Sequence, residues 1–145
     1  MSEEKYVLLE MKKLFNLLNR PHHDCLHESK GDLTTVQFLL LMYLLDNEGK
    51  EVFQRDIEVT FNVRRSTVTN LIKAIEKKGY ITRQSVDTDA RLKQIILTDK
   101  ANEVRKKMFA DMHIVETRMK KGIDEEKMQV FFQVIEMMNK NMEGR

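Results

Sequence analysis

The stretch "FNVRRSTVTNLIKAIEKKGYITRQSVDTDARLKQIILT", residues 61–98, constrains the fold more than any other part of the chain. Just upstream, "EVFQRDIEVTFNV" places Phe53, Ile57 and Phe61 at four-residue steps. Beyond the link, Val68, Leu71, Ile72 and Ile75 form an apolar stripe that Gly79 closes. Two short helical patterns joined by "FNV", with apolar positions facing a common core, have helix-turn-helix spacing. Tyr80, Ile81 and Thr82 then favour a strand, as do Ile95, Ile96 and Leu97, and the polar tip "SVDTDARLK" lies between them. Two short strands with a charged tip, directly after a candidate recognition helix, read as a β-wing.

The flanks are helical. In "YVLLEMKKLFNLL", Val7, Leu8, Met11, Leu14, Phe15 and Leu18 make one apolar face, and Pro21 ends the pattern. In "DLTTVQFLLLMYLLDNEG", Thr34 or Thr35 can cap, Phe38–Leu45 is almost wholly apolar, and Gly49 stops the helix. A helix that is apolar all round is a buried one. At the C-terminal end, Val104, Met108, Met112, Val115 and Met119 form one stripe, and Met128, Phe131, Phe132, Ile135, Met138 and Met142 form another, with Gly122 between. The predicted fold is mainly α with a small β-wing (α+β). Residues 33–98 form a winged helix-turn-helix domain. Residues 1–20 and 99–145 form a helical dimerisation region, the whole being one intertwined fold. The terminal stripes bury most economically against a second copy, through Leu8, Met11, Phe15, Met128, Phe131, Phe132, Ile135 and Met138. Folding back within a monomer is the alternative.

Several classes of function are disfavoured. A chain of 145 residues can bury a real core without staples. The apolar runs fall short of the roughly 20 residues of a membrane span. The opening "MSEEKYVLLE" carries acids where a secretory signal carries bases. A single cysteine forms no internal disulfide, so a reducing cytoplasm is the expected location. Cys25 and His27 are the one candidate nucleophile–base pair, and no oxyanion-hole glycine accompanies them, so the chain is not expected to be an enzyme.

Net charge is only +2, but its distribution is uneven. Residues 64–93 carry eight Lys or Arg against three acids, so the rest of the chain is net acidic. A basic middle between acidic flanks is the footprint of a local polyanion-binding element, or else of a solvated charged face. Within "RRSTVTN", the buried positions fix Arg65, Ser66, Thr69 and Asn70 toward solvent, beside Arg64 and Thr67 and with Lys73 further along. Arginine can donate twice to guanine, asparagine can bond adenine, and hydroxyls reach phosphates or base edges. On the wing, Asp89 or Asp87 can orient the Arg91 guanidinium into a minor groove, while Arg83 and Lys93 can meet backbone phosphates. Ordinary turn chemistry explains an Asp-rich tip equally well.

From Ser66 onward, "STVTNLIKAIEKKGYITRQSVDTDARLKQIILTDKA" closely resembles the signature region of the MarR (multiple antibiotic resistance regulator) family. The Asp-x-Asp-x-Arg tip, the Ile-Leu-Thr strand end and the upstream "LTTVQFLLL" carry the likeness, and the element order matches over nearly the whole chain. The resemblance implies a homodimeric winged-helix transcription factor that binds pseudo-palindromic double-stranded DNA, usually a repressor released by a small ligand, an oxidant or a metal. It implies a dimer built from the N- and C-terminal helices. It also carries DNA-reading roles to Arg65, Ser66, Thr67, Thr69 and Asn70 on the helix and to Asp89 and Arg91 on the wing. Two positions depart from the pattern. Arg64 stands where a small capping residue is common, and Ala101 where glycine is common.

The effector is open at this level. The resemblance places a ligand pocket between the dimer helices and the winged domain, near the linker "PHHDCLHES". That linker holds His22, His23, Cys25 and His27, whose nitrogen and sulfur donors suit Zn(II) or a similar ion. His113 and Glu116, three apart on one helix, could complete such a site. A paired metal-ligand motif is absent, however, and no resident cofactor is expected. Cys25 flanked by histidines is alternatively a redox switch. A small organic effector, with the linker as a polar loop, is the third reading. The rival to DNA recognition is a winged helix used for protein or RNA contacts without DNA sequence specificity.

Overall fold

The computed structural model describes residues 4–20, 30–86 and 89–144. Among these residues there are six α-helices and one two-stranded antiparallel sheet: α1 Val7–Leu18, α2 Thr35–Asp46, α3 Gln54–Phe61, α4 Arg65–Lys77, β1 Ile81–Val86, β2 Asp89–Leu97, α5 Asp99–Lys120 and α6 Glu125–Glu143. The mainly helical winged fold is therefore as the sequence predicts.

Helix α2 is the core. Thr34 caps it: its Oγ1 accepts from the Gln37 N–H at 3.2 Å, and the Gln37 side chain accepts from the Thr34 N–H at 3.1 Å. This reciprocal pair satisfies two of the orphan donors of the first turn. Phe38, Leu40, Leu41, Leu44 and Leu45 are buried, Met42 and Tyr43 are partly so, and Leu39 is exposed, so the helix is not buried all round as its apolar run suggests. Ile57 of α3, Val68, Ile72 and Ile75 of α4, Ile81 and Ile95 of the sheet, and Ala101 and Met108 of α5 close over it. Burial of an aliphatic side chain in such a cluster stabilises by about 1.5–3 kcal/mol.

The turn between α3 and α4 rests on Asn62, whose φ of 51° and ψ of 49° are left-handed. Asparagine tolerates that region better than most residues. After α4, Gly79 at φ 87° reverses the chain, and the buried Tyr80 leads into β1. Tyr80 carries the Lys100 ammonium 4.4 Å from its ring centroid, and burial followed by the charge of Asp32 pushes its phenol up.

Both strands run past the β-prone cores at 80–82 and 95–97, with Arg83 opposite Ile95 and Ser85 opposite Lys93. Pairing of the backbone, rather than side-chain propensity, carries the polar residues into the ladder. A further bridge joins Phe53 to Gln94, and the Ile95 N–H donates to the Val52 carbonyl at 2.8 Å. The segment leading into α3 is thereby pinned to the sheet, which the periodicity of "EVFQ" did not reveal.

The terminal helices behave differently. Neither α1 nor α6 buries a residue. Helix α5 does both jobs: its first half contributes Ala101 and Met108 to the core, and its second half leaves Ile114 and Met119 exposed. The end of α1 is tied to α2 where the Thr35 hydroxyl donates to the Asn19 carboxamide oxygen. Pro21 lies outside the described residues, and α1 already ends at Leu18, where Asn19 Nδ2 donates to the Phe15 carbonyl at 2.7 Å.

Candidate nucleic-acid interface

Helix α4 is set by its buried face, so its other face is available. Arg64, Arg65, Ser66, Thr67, Asn70 and Lys73 are exposed, as the stripe Val68–Ile72–Ile75 requires. Arg64 is the N-cap residue and supplies no side-chain cap. The departure at this position therefore leaves the first-turn N–H groups of α4 without a side-chain acceptor, the arrangement that favours a phosphate. The other departure, Ala101, sits fully buried where α5 meets α2.

Between α4 and the wing lies a cleft of about 340 Å³. Arg65, Arg83, Arg91 and Lys93 line it, so the structure brings together four of the residues singled out from the sequence. Arg55, from the first turn of α3, lines it too. It was missed because its cation lies upstream of the charge-rich block that begins at Arg64. Glu58 is the one acid on the cleft wall. Among the described residues, the side chains of Arg55, Arg64, Arg65, Lys73, Arg91 and Lys93 form no ion pair.

Three other predicted residues are engaged within the chain. The Thr69 hydroxyl donates to the Arg65 carbonyl at 2.9 Å and accepts from Gln54 Nε2 at 2.8 Å. Gln54 also donates to the Arg65 carbonyl at 3.2 Å, so it braces α3 against the start of α4. Nothing in the sequence pointed to Gln54, because the contact crosses the turn. Arg83 is held by Glu76: Nε donates to Oε2 at 3.1 Å and Nη2 to Oε1 at 3.0 Å. The hydrogen bond from Arg83, and then its charge and that of Lys93, hold the Glu76 carboxyl below the ordinary glutamate value against an opposing desolvation, and Arg83 is raised in return. Asp89 accepts from the Arg91 backbone N–H at 2.9 Å and forms no ion pair with its guanidinium. That carboxylate shapes the turn; Asp87 lies outside the described residues.

The predicted dimer residues sit on the uncovered faces. Leu8, Met11 and Phe15 of α1 and Phe131 and Phe132 of α6 are exposed, and Met128, Ile135 and Met138 are half-buried. Where these helices approach one another, Leu14, Met119, Ile123, Met128, Phe131 and Phe132 line an apolar cleft of about 400 Å³. Among the metal candidates, His113 is exposed on α5, and Glu116 is paired with Lys120 at 2.7 Å. His22, His23, Cys25 and His27 lie outside the described residues. Among the described residues no group of three or more His, Cys, Asp or Glu is gathered around a point. Among the described residues no helix is long and apolar enough to cross a membrane.

Fold and site together define a winged helix-turn-helix transcriptional regulator. Residues 31–92 match the model of the MarR family. The crystal structure of the transcription regulator MarR from Oenococcus oeni PSU-1 superposes with a TM-score of 0.79 at 27% identity, over 93% of this chain and 99% of that one. The heme-free form of PefR superposes with a TM-score of 0.75 at 26% identity, over 94% of this chain and 99% of that one. The heme complex of PefR, a heme sensor protein from Streptococcus agalactiae, gives 0.66 at the same identity. In sequence, the uncharacterised HTH-type transcriptional regulator YdgJ of Bacillus subtilis is 23% identical over 97% of this chain and 82% of its own length.

Proposed function

We propose that the protein is a homodimeric repressor that binds pseudo-palindromic duplex DNA in a sequence-specific manner and is released by an effector. The observation that carries the reading is the cleft between α4 and the wing, where Arg55, Arg65, Arg91 and Lys93 converge without ion-pair partners among the described residues. Four cations at one end of a helix-turn-helix, against the single acid Glu58 on the cleft wall, suit a phosphate backbone. The exposed Ser66, Thr67 and Asn70 beside them suit base edges in a major groove. Arg91 enters the adjoining minor groove from the wing, and Lys73 and Arg64 add backbone contacts. Pairing of α1 and α6 with their copies covers the exposed aromatic and aliphatic faces and sets two recognition helices one helical turn apart.

The apolar cleft beside α1, α5 and α6 is the proposed effector site. Its size falls in the range of small-molecule pockets. Lys120 and Lys127 at its edge are paired with Glu116 and Asp124, so its lining suits a predominantly apolar ligand. Heme belongs in the test panel because PefR, similar over most of its length, is a heme sensor.

Fluorescence anisotropy on the duplex immediately upstream of the protein's own reading frame, against a mixed-sequence duplex of equal length, tests the reading across a salt series. A specific complex is expected to bind at least ~10³-fold tighter than the mixed sequence. Equal affinity for both duplexes at every salt concentration would instead support a module without DNA sequence specificity. Repeating the titration with aromatic acids, heme, Zn(II) and peroxide identifies the effector class by which one lowers the affinity.

A further inference from the structure

The cleft contains one arginine that differs from its neighbours. Arg83 points its guanidinium at Glu76 across the junction of α4 and β1, and two of its nitrogens are consumed by the two carboxylate oxygens. Arg83 lines the cleft, and each partner of the pair is about one-third exposed, so Glu76 holds Arg83 from beside the cleft, at the protein surface. Arg65, Arg91 and Lys93 share that surface and have no such partner among the described residues. A phosphate approaching Arg83 therefore meets a neutral pair. If Arg83 swings away to the phosphate, the Glu76 carboxylate is left facing the same backbone, and repulsion cancels the gain. In either geometry the net electrostatic attraction of Arg83 for DNA is close to nil.

From this we propose that Glu76 withholds Arg83 from the DNA backbone, so that it limits sequence-independent binding by one phosphate contact. The inference rests on the DNA-binding reading above. It assigns Glu76 a task that no contact with DNA requires: it holds down the hold on arbitrary duplex, which competes with the operator in large excess. The wing then contributes Arg91 and Lys93 as its working cations.

The test is a salt series on a mixed-sequence 30-base-pair duplex with the full chain and three variants. Glu76→Gln keeps the shape and removes the charge. It is expected to steepen the slope of log affinity against log salt by about 0.9, one phosphate contact. Between 200 and 50 mM salt, its advantage over the unmodified chain should therefore grow by about 3.5-fold. Arg83→Ala alone bares the Glu76 carboxylate and is expected to weaken binding to every duplex. The double variant Glu76→Gln with Arg83→Ala removes both charges of the neutral pair and is expected to keep the original slope. A slope that falls by about 0.9 below the original in the double variant would overturn the proposal, since Arg83 would then be a working contact despite its partner. So would an unchanged slope in Glu76→Gln, or a steepened slope that persists in the double variant, which would trace the gain to the carboxylate's own field. If Glu76→Gln does not fold alone, the double variant decides. If the unmodified chain binds no duplex at 50 mM salt, the DNA reading itself falls.

Discussion

The winged core and the terminal helices solve the same problem in opposite ways. In the core, Phe38 and Leu41 are 0% exposed, and every element that surrounds α2 presents its apolar stripe to it. In the terminal helices, stripes of similar composition stay in water: Leu8 is 80% exposed and Phe132 56%. Exposed large side chains ranged along two helices are costly for a soluble chain unless something covers them. The core is complete within one chain; the terminal helices leave their apolar faces uncovered. The basic cleft belongs wholly to the first region, so a single chain carries one reading head, and in the proposed dimer a second copy would both cover the terminal faces and supply the second head.

The strongest way to break this contrast is to charge the uncovered faces. Phe131→Glu combined with Phe132→Glu is expected to give a folded monomer by light scattering and to lower operator affinity by roughly 10²–10⁴-fold, the loss of linked half-site binding. A variant that remains dimeric would place the interface elsewhere. The matching change in the core is Leu41→Ala, which should cost about 2–5 kcal/mol of folding stability in urea unfolding. Here the chain loses stability, whereas in the double phenylalanine variant it loses its partner.

Smaller effects sharpen the division within the cleft. Arg91→Ala is expected to cost about 1–3 kcal/mol of operator binding and to leave the dimer intact by size-exclusion chromatography. Arg55→Ala should weaken all duplexes alike and reduce the salt slope by about 0.9, the signature of a backbone contact. The smallest effect concerns acid. Glu76 has a folded-state pKa below its unfolded value, so its stabilising contribution is present above the unfolded value and is lost as pH falls through the folded one. Thermal melts between pH 6 and pH 3 should show Glu76→Gln losing less stability on acidification than the unmodified chain. The difference should be no more than about 1 kcal/mol, as for a surface pair.

Much of this architecture is legible in the sequence because it is periodic. The stripe Val68–Leu71–Ile72–Ile75 fixes the solvent face of α4, and the run from Phe38 to Leu45 marks the core helix, although Leu39 within it stays exposed. What escaped is what depends on contacts through space. Arg83 reads as one more cation in a basic block; its pairing with Glu76 requires α4 to end and β1 to turn back beside it. The Thr69 hydroxyl reads as a DNA contact on the exposed side of a helix, and its engagement by Gln54 depends on the angle between α3 and α4. The wing strands extend beyond their β-prone residues because the ladder, and not propensity, sets their length. The stripe of α5 from Val104 to Met119 reads as uniform, yet the core takes Val104 to Val115, burying only Met108 fully, and leaves Met119 exposed.

Native mass spectrometry of the complex with the upstream duplex tests the central claim most directly, because it counts chains on DNA in one measurement. The account predicts two chains on each duplex, and for Phe131→Glu with Phe132→Glu a shift to one chain or to free DNA. A single chain per duplex for the unmodified protein, bound as tightly to a mixed sequence, would contradict it.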